Sequence, residues 1–307
     1  MAEPNLTRRQ TLASLTSLAT TSVVPVSSTQ KAPAPFTLCL NLSTIRGQNR
    51  GFVKELEIAS QAGFRSVEIW INTLQDYLKT GATPAQAKRV LADNGLKAEN
   101  AIGFAQWVVD DEGTRTKGLD QLKREMEMLA EVGCPRIAAP PMGATQGERL
   151  DLYRVAERYR TILDLGQQTG VVPHLELWGF SKNLSRLSEV LFVAAESGHP
   201  AARVLLDVYH LHKGGSALAS LPLVGKPAME IFHLNDYPAN PPRETIVDAD
   251  RVYPGDGIAP IRDILKTIQT PGKTIILSLE LFNKTYYAQD PLAVAKTGLT
   301  KMRALVG

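Results

Sequence analysis

From Phe36 to the C-terminus the chain alternates two apolar patterns. Short, largely apolar runs at Phe36–Leu42, Ser66–Ile71, Lys97–Ile102, Arg136–Ala139, Val171–Leu177, Arg203–Val208, Met229–Asn235 and Thr274–Leu281 read as strands. Between them, apolar residues recur at three-to-four spacing in Phe52–Ala62, Pro84–Asn94, Leu119–Val132, Glu148–Thr169, Leu184–Ser197, Ile261–Thr267 and Pro291–Leu305, and more weakly near Ser216–Val224, which predicts helices. Gly63, Gly95, Gly133 and Gly170 stand where the early helices should stop. Parallel strands joined by helices make an α/β chain. Eight such units predict a closed (β/α)8 barrel of the TIM type, in one domain over 36–307, rather than an open doubly wound sheet. No G-x-G-x-x-G turn follows the first strand, which argues against a dinucleotide fold. The longest connection, Asp236–Pro260, follows the seventh strand and reads as a lid or substrate clamp.

The 307 residues, 44% of them hydrophobic, suffice for one large core, and a formal charge of +3 offers no basic face for nucleic acid. Cys39 falls inside the first strand and Cys134 just before the fourth, an arrangement that argues against a bridge. The first 35 residues differ in character. Thr7-Arg8-Arg9-Gln10-Thr11-Leu12 is a twin-arginine pattern, followed by a modestly apolar stretch to Val26 and small, proline-rich residues to Pro35. This predicts a twin-arginine export signal over 1–35, cleaved or kept as a tether, and a periplasmic or envelope location; a disordered basic tail is the plainer alternative. The apolar stretch is too short and too rich in Ser and Thr for a stable membrane span, and no later stretch approaches one.

Four strands of the second half each finish on a potential metal ligand: Glu176, Asp207, His233 and Glu280. Strand ends converge on the active face of such a barrel. Three carboxylates brought together repel unless a cation lies between them, so one imidazole and three carboxylates predict one divalent metal ion. The set favours Mn2+ or Mg2+ and leaves Co2+ and Zn2+ open. Alternation along each strand puts His174 and Ser278 on the same inward face as Glu176 and Glu280, one layer lower, where both need buried partners.

With these ligands, the segments Leu206-Asp207-Val208-Tyr209-His210, Phe232-His233-Leu234-Asn235-Asp236, Pro254-Gly255-Asp256-Gly257 and Leu279-Glu280 resemble the xylose isomerase-like TIM barrels, a group that holds sugar epimerases, inosose isomerases and dehydratases, and endonuclease IV-type enzymes. The resemblance runs from about Phe36 to the end. It implies that Glu176, Asp207, His233 and Glu280 hold the metal, and that Glu176 and Glu280 exchange protons with a carbohydrate substrate on opposite faces. His210, three residues past Asp207, is then placed to hydrogen-bond a substrate oxygen or a leaving hydroxyl. Glu68, ending the second strand where relatives often carry a pocket carboxylate, is expected at the substrate or behind a ligand. Trp107, with Trp70, is a candidate apolar wall or simply core. Asp236 and Arg251, in the long connection near the metal histidine, are candidate substrate contacts, Arg251 having a surface salt bridge as its alternative. Family members often pair through barrel faces, which extends the expectation to a homo-oligomer.

The expected reaction is therefore metal-assisted proton abstraction next to a carbonyl, giving a sugar isomerase or epimerase that acts on a keto-sugar or inosose. Elimination from a keto-sugar, inosose or 3-keto-glycoside by a lyase is the main rival. Two remote readings are a DNA-repair enzyme and a sugar-binding barrel without catalysis. The repair enzymes need a trinuclear site, yet Val252 replaces a ligand and strands three and four end in Ala101-Ile102-Gly103 and Ala138-Ala139-Pro140 without a histidine.

Overall fold

The computed structural model describes residues 34–225 and 228–307, so the export signal expected over 1–35 lies outside the described residues except for its last two positions. Eight parallel strands, β1 (Phe36–Asn41), β2 (Ser66–Trp70), β3 (Lys97–Ile102), β4 (Arg136–Ala139), β5 (Val172–Glu176), β6 (Val204–Asp207), β7 (Ile231–Leu234) and β8 (Ile275–Leu279), follow chain order round a closed barrel. β8 pairs back onto β1, with Leu40 opposite Leu279, so that residues far apart in sequence meet at one mouth. The strands read as apolar are buried on both faces: every residue of β2, β6, β7 and β8 is buried. Surrounding helices press one stripe inward, as Ile261, Ile264, Leu265 and Ile268 do in the helix Ile261–Ile268. Cys39 and Cys134 are free and buried, in line with the absence of a bridge.

Three helices went unread: Ile71–Lys79, Val208–Lys213 and Lys284–Tyr287. The first two begin at the last residue of a strand. Trp70 and Asp207 serve as both strand end and helix cap, so no polar break separates the patterns. Elsewhere the caps, rather than the apolar runs, set the boundaries. The helix read from Leu119 starts at Glu112 behind the cap Asp111, and the one read from Glu148 starts at Leu152 behind Asp151. His199 is buried, and its Nδ1 accepts the Ala201 N–H at 3.1 Å.

The 236–260 connection is pinned to the barrel mouth by Asp236. One oxygen accepts from the N–H of Tyr237 (2.8 Å) and Ala259 (2.9 Å), the other from Gly255 and Gly257 (3.0 Å each). An antiparallel bridge to Val252 closes the loop on itself. Asp236 is fully buried with both oxygens committed, so the expected substrate contact is corrected to an organiser of backbone. The packing at Gly257 admits no side chain, since a Cβ there would stand 2.2 Å from the Tyr237 carbonyl oxygen. Held this way, the loop delivers Arg251 into the barrel.

Stranding these half-buried donors is costly. Asp236→Ala should lower unfolding stability by about 2 kcal/mol or more. Asp236→Asn, which keeps one carbonyl oxygen, should lose less. A urea midpoint unchanged in both variants at constant m would contradict the assigned role.

Candidate metal centre and active-site cavity

The ends of β6, β7 and β8 bring one ligand atom each from Asp207, His233 and Glu280 within 4.8 Å of one another, all three residues buried. Asp207 divides its work. Oδ1 accepts the His210 N–H at 2.8 Å and so caps the helix Val208–Lys213, while Oδ2 faces the site and accepts from Asn235 Nδ2 at 2.7 Å. The His233 ring is held from behind by Glu68, whose oxygens lie 3.0 and 3.2 Å from Nε2. Glu68 also accepts from Asn41 Nδ2 (3.1 Å), Asn100 Nδ2 (2.8 Å) and the Ser278 hydroxyl. A register shift between Val67 and Glu68 sets Asn100 opposite Glu68. The barrel closure lets Asn41 reach both Glu68 and Glu280.

This backing decides what the site can hold. With Nε2–H donated to Glu68, the Nδ1 lone pair of His233 points toward Glu280 Oε2 (3.1 Å) and Asp207 Oδ2 (3.8 Å). Nδ1 makes no hydrogen bond, and Glu176 Oε2 is likewise buried without a partner. A lone pair facing carboxylate oxygens is repulsive unless a cation stands among them. The residues therefore fit a divalent ion. Asp207, His233 and Glu280 would hold it, with Glu176 at the end of β5 as the fourth ligand that the strand pattern implies.

Electrostatics in the protein alone point the same way. Burial pulls the His233 imidazole down, but Glu280 and Glu68 outweigh it and lift it well above the ordinary histidine range. Burial pushes Glu280 up, yet the neighbouring charges of His233 and Arg251 hold it far below the carboxylate range. Glu176 is pushed up to about 8, chiefly by burial, with Glu280 adding to the rise and His233 opposing it. A bound divalent ion takes over the role of these protons.

Arg251 is not a surface residue. It is 1% exposed, and its Nη1 donates to Glu280 Oε2 (2.7 Å) and Asp207 Oδ2 (3.0 Å). Its Nη2 donates to Asp248 and meets His210 Nε2 at 3.0 Å. A guanidinium only donates, so His210 Nε2 accepts and its proton sits on Nδ1, which is buried and unpartnered. Burial, then Arg251, hold His210 down at about 3. It is thus a neutral donor with a free N–H.

A cavity of about 330 Å3 opens over these groups, with Glu176, His210, Asp248, Arg251 and Glu280 on one side. Trp70, Ile102, Phe104, Trp178, Phe180 and Phe282 supply its apolar lining. Two larger clefts, of about 590 and 580 Å3, contain none of the ligand set. For Glu68 and Trp107 the structure chooses between the alternatives that the sequence left open. Glu68 is fully buried behind His233 and does not line the cavity. Trp107 is core: it is fully buried, donates to the Pro140 carbonyl at 2.9 Å and packs on Tyr159. The wall that sequence reading missed had a readable signal, because Trp178 and Phe282 lie two residues beyond Glu176 and Glu280 and continue the same strand parity. Of the two polar residues read into the lower layer, Ser278 finds Glu68, whereas both nitrogens of His174 are unpartnered and burial holds it down at about 3.

Glu68→Gln should weaken metal affinity about 10–100-fold in a chelator competition, because an amide does not fix the imidazole as a carboxylate does; unchanged affinity would remove Glu68 from the centre. Metal must also displace protons from Glu176 and His233, both raised. Apparent affinity should therefore strengthen as pH rises from 6 to 8, through the Glu176 value of about 8. A flat profile over that window would contradict the assigned proton loads.

Comparison with known proteins agrees with this architecture. The chain is 27% identical over 269 residues to an inosose isomerase of Halalkalibacterium halodurans, covering 84% of this chain and 93% of that protein. It is 26% identical over 265 residues to a 3-dehydroshikimate dehydratase of Pseudomonas putida, covering 81% of this chain and 39% of that longer protein. Among solved structures, a zinc-bound IolI protein superposes with a TM-score of 0.79 at 22% identity, over 88% of this chain and 98% of the other. A D-psicose 3-epimerase superposes at 0.72 and 17% identity, over 89% and 100%. The pattern of one family spans residues 56–305, and with the closed eight-stranded barrel it establishes that the chain belongs to the xylose isomerase-like TIM barrel family.

Proposed function

We propose that this chain is a divalent-metal-dependent enzyme that moves a proton next to the carbonyl of a small polyhydroxylated ketone, a keto-sugar or inosose, with isomerisation or epimerisation as the outcome. The observation that carries this reading is Glu176: a buried carboxylate that lines the cavity, with its Oε2 left without a partner. The names of its relatives, an isomerase, an epimerase and a dehydratase, lie within the same range of chemistry. A bound divalent ion supplies Lewis acidity that stabilises negative charge developing on the substrate carbonyl oxygen.

The chain's own residues do the rest. Glu176 has a proton affinity near neutral pH, which suits a group that both takes and returns a proton. Glu280 has its oxygens engaged by Asn41 and Arg251, so it serves first as a ligand and then as the partner on the other face of the substrate. The free Nδ1–H of His210 donates to a substrate oxygen, and Arg251 orients that ring while fixing Asp207 and Glu280. The same donor, set against a leaving hydroxyl, supports elimination as the second reading, favoured by the dehydratase among the relatives.

The test is proton exchange in D2O, followed by NMR, with Mn2+-loaded protein and a panel of ketohexoses and inososes. Deuterium should appear next to the carbonyl, and Glu176→Gln and Glu280→Gln should lose it by about 10^2-fold or more. An isomer or epimer as product supports the first reading, and a dehydrated product the second. Exchange that persists in both variants would overturn the assignment.

A further inference from the structure

The cavity has two chemically different halves. Its floor carries Glu176, Glu280, His210 and Arg251. Its outer half is a continuous chain of rings. Phe282 lies 6.1 Å from Trp70 between centroids, Trp70 5.4 Å from Phe104, Phe104 6.3 Å from Trp178, Trp178 5.3 Å from Phe180, and Phe180 5.6 Å from the His210 imidazole. These rings follow the ends of β8, β2, β3 and β5 and reach the helix Val208–Lys213, so they run round the mouth as a collar. The indole N–H of Trp70 is committed to Asn41 Oδ1 at 2.8 Å, and the Arg46 guanidinium stacks on that ring at 3.9 Å. The phenyl groups offer no donor at all, and Phe180, the outermost, is 39% exposed.

The collar is also preformed. A Cβ at Gly179 would stand 2.2 Å from the His210 carbonyl oxygen, so the backbone between Trp178 and Phe180 lies directly against the helix that carries His210. Further along the same loop, Asn183 ties it down through Ala144 O (2.8 Å) and the Leu150 N–H (2.9 Å). Rings fixed in this way keep their faces and edges available for stacking at little entropic cost.

A free keto-sugar carries hydroxyls around its ring. Those reaching the phenyl rings of Phe104, Phe180 and Phe282 would leave water for hydrocarbon with nothing to bond. A flat apolar group attached to the reacting ring would instead stack among the aromatics while the oxygens meet the polar floor. We propose that the collar is a subsite for an aromatic group carried by the substrate, so that aryl glycosides of a keto-sugar are preferred over the free keto-sugar. This rests on the enolising reading for the identity of the ring on the floor.

The test uses the Mn2+-loaded full chain and a matched pair, the methyl and phenyl glycosides of one 3-keto-hexose. Binding is read by calorimetry and deuterium exchange next to the ketone by NMR. The phenyl compound should bind about tenfold tighter, and in Phe180→Ala the phenyl-to-methyl ratio should fall toward one. Equal binding of the pair, or a phenyl preference that survives both Phe180→Ala and Phe282→Ala, would overturn the subsite. Exchange with no phenyl preference sinks the collar and leaves the enolising reading standing. A Phe180-dependent preference without exchange upholds the subsite and sinks that reading.

Discussion

The buried contact between Glu68 and His233 is the constraint on which the site depends. A carboxylate with no solvent access is tolerable only when fully bonded, and Glu68 is bonded by Asn41, Asn100, Ser278 and His233 together. Four strands supply these partners, so the contact requires the barrel to be closed. In return it fixes which nitrogen of His233 faces the ligand carboxylates. The same pair thus anchors β2 to β7 across the interior and defines the chemical character of the mouth.

Charge is balanced outward from that contact. Asp207 and Glu280 are held by Arg251 from the loop side and by His233 from below, and each oxygen that faces the centre also has a neutral or cationic neighbour in the protein. Arg251 reaches this position because Asp236 gathers the backbone of the long loop under it. The guanidinium then sets the tautomer of His210. A single loop residue therefore acts on two carboxylates of the candidate centre and on the His210 ring that lines the cavity. That is how the loop takes part in the candidate site, although none of its backbone spans the barrel.

Glu176, Asp207, His233 and Glu280 were readable as candidate ligands because each closes a short apolar run, and strand ends on one face of a parallel barrel converge whatever the side chains are. His210 was legible from its position three residues past Asp207, where a helix start places it over the mouth. Other positions were decided only by the fold. Trp107 follows β3 as Trp70 closes β2, yet its ring turns into the core to reach the Pro140 carbonyl. Asp236 has the polarity of a substrate contact, but four backbone N–H groups claim it first. Glu68 was placed at the right strand end, and only the register shift beside it shows that it backs His233 rather than lining the cavity.

Taken alone, the sequence determined the α/β alternation, the count of eight units and the ligand types, since periodicity and strand-end chemistry are local properties. Tertiary structure alone decided which polar groups face one another: the burial of Arg251 among the ligands, the free nitrogen on His210, the uncommitted oxygen of Glu176 and the ring of aromatics round the mouth. These depend on contacts between residues as many as 239 positions apart, such as Asn41 with Glu280. No one-dimensional pattern encodes such distances, because they are set by the barrel closing and by which oxygen each donor reaches once water has been excluded.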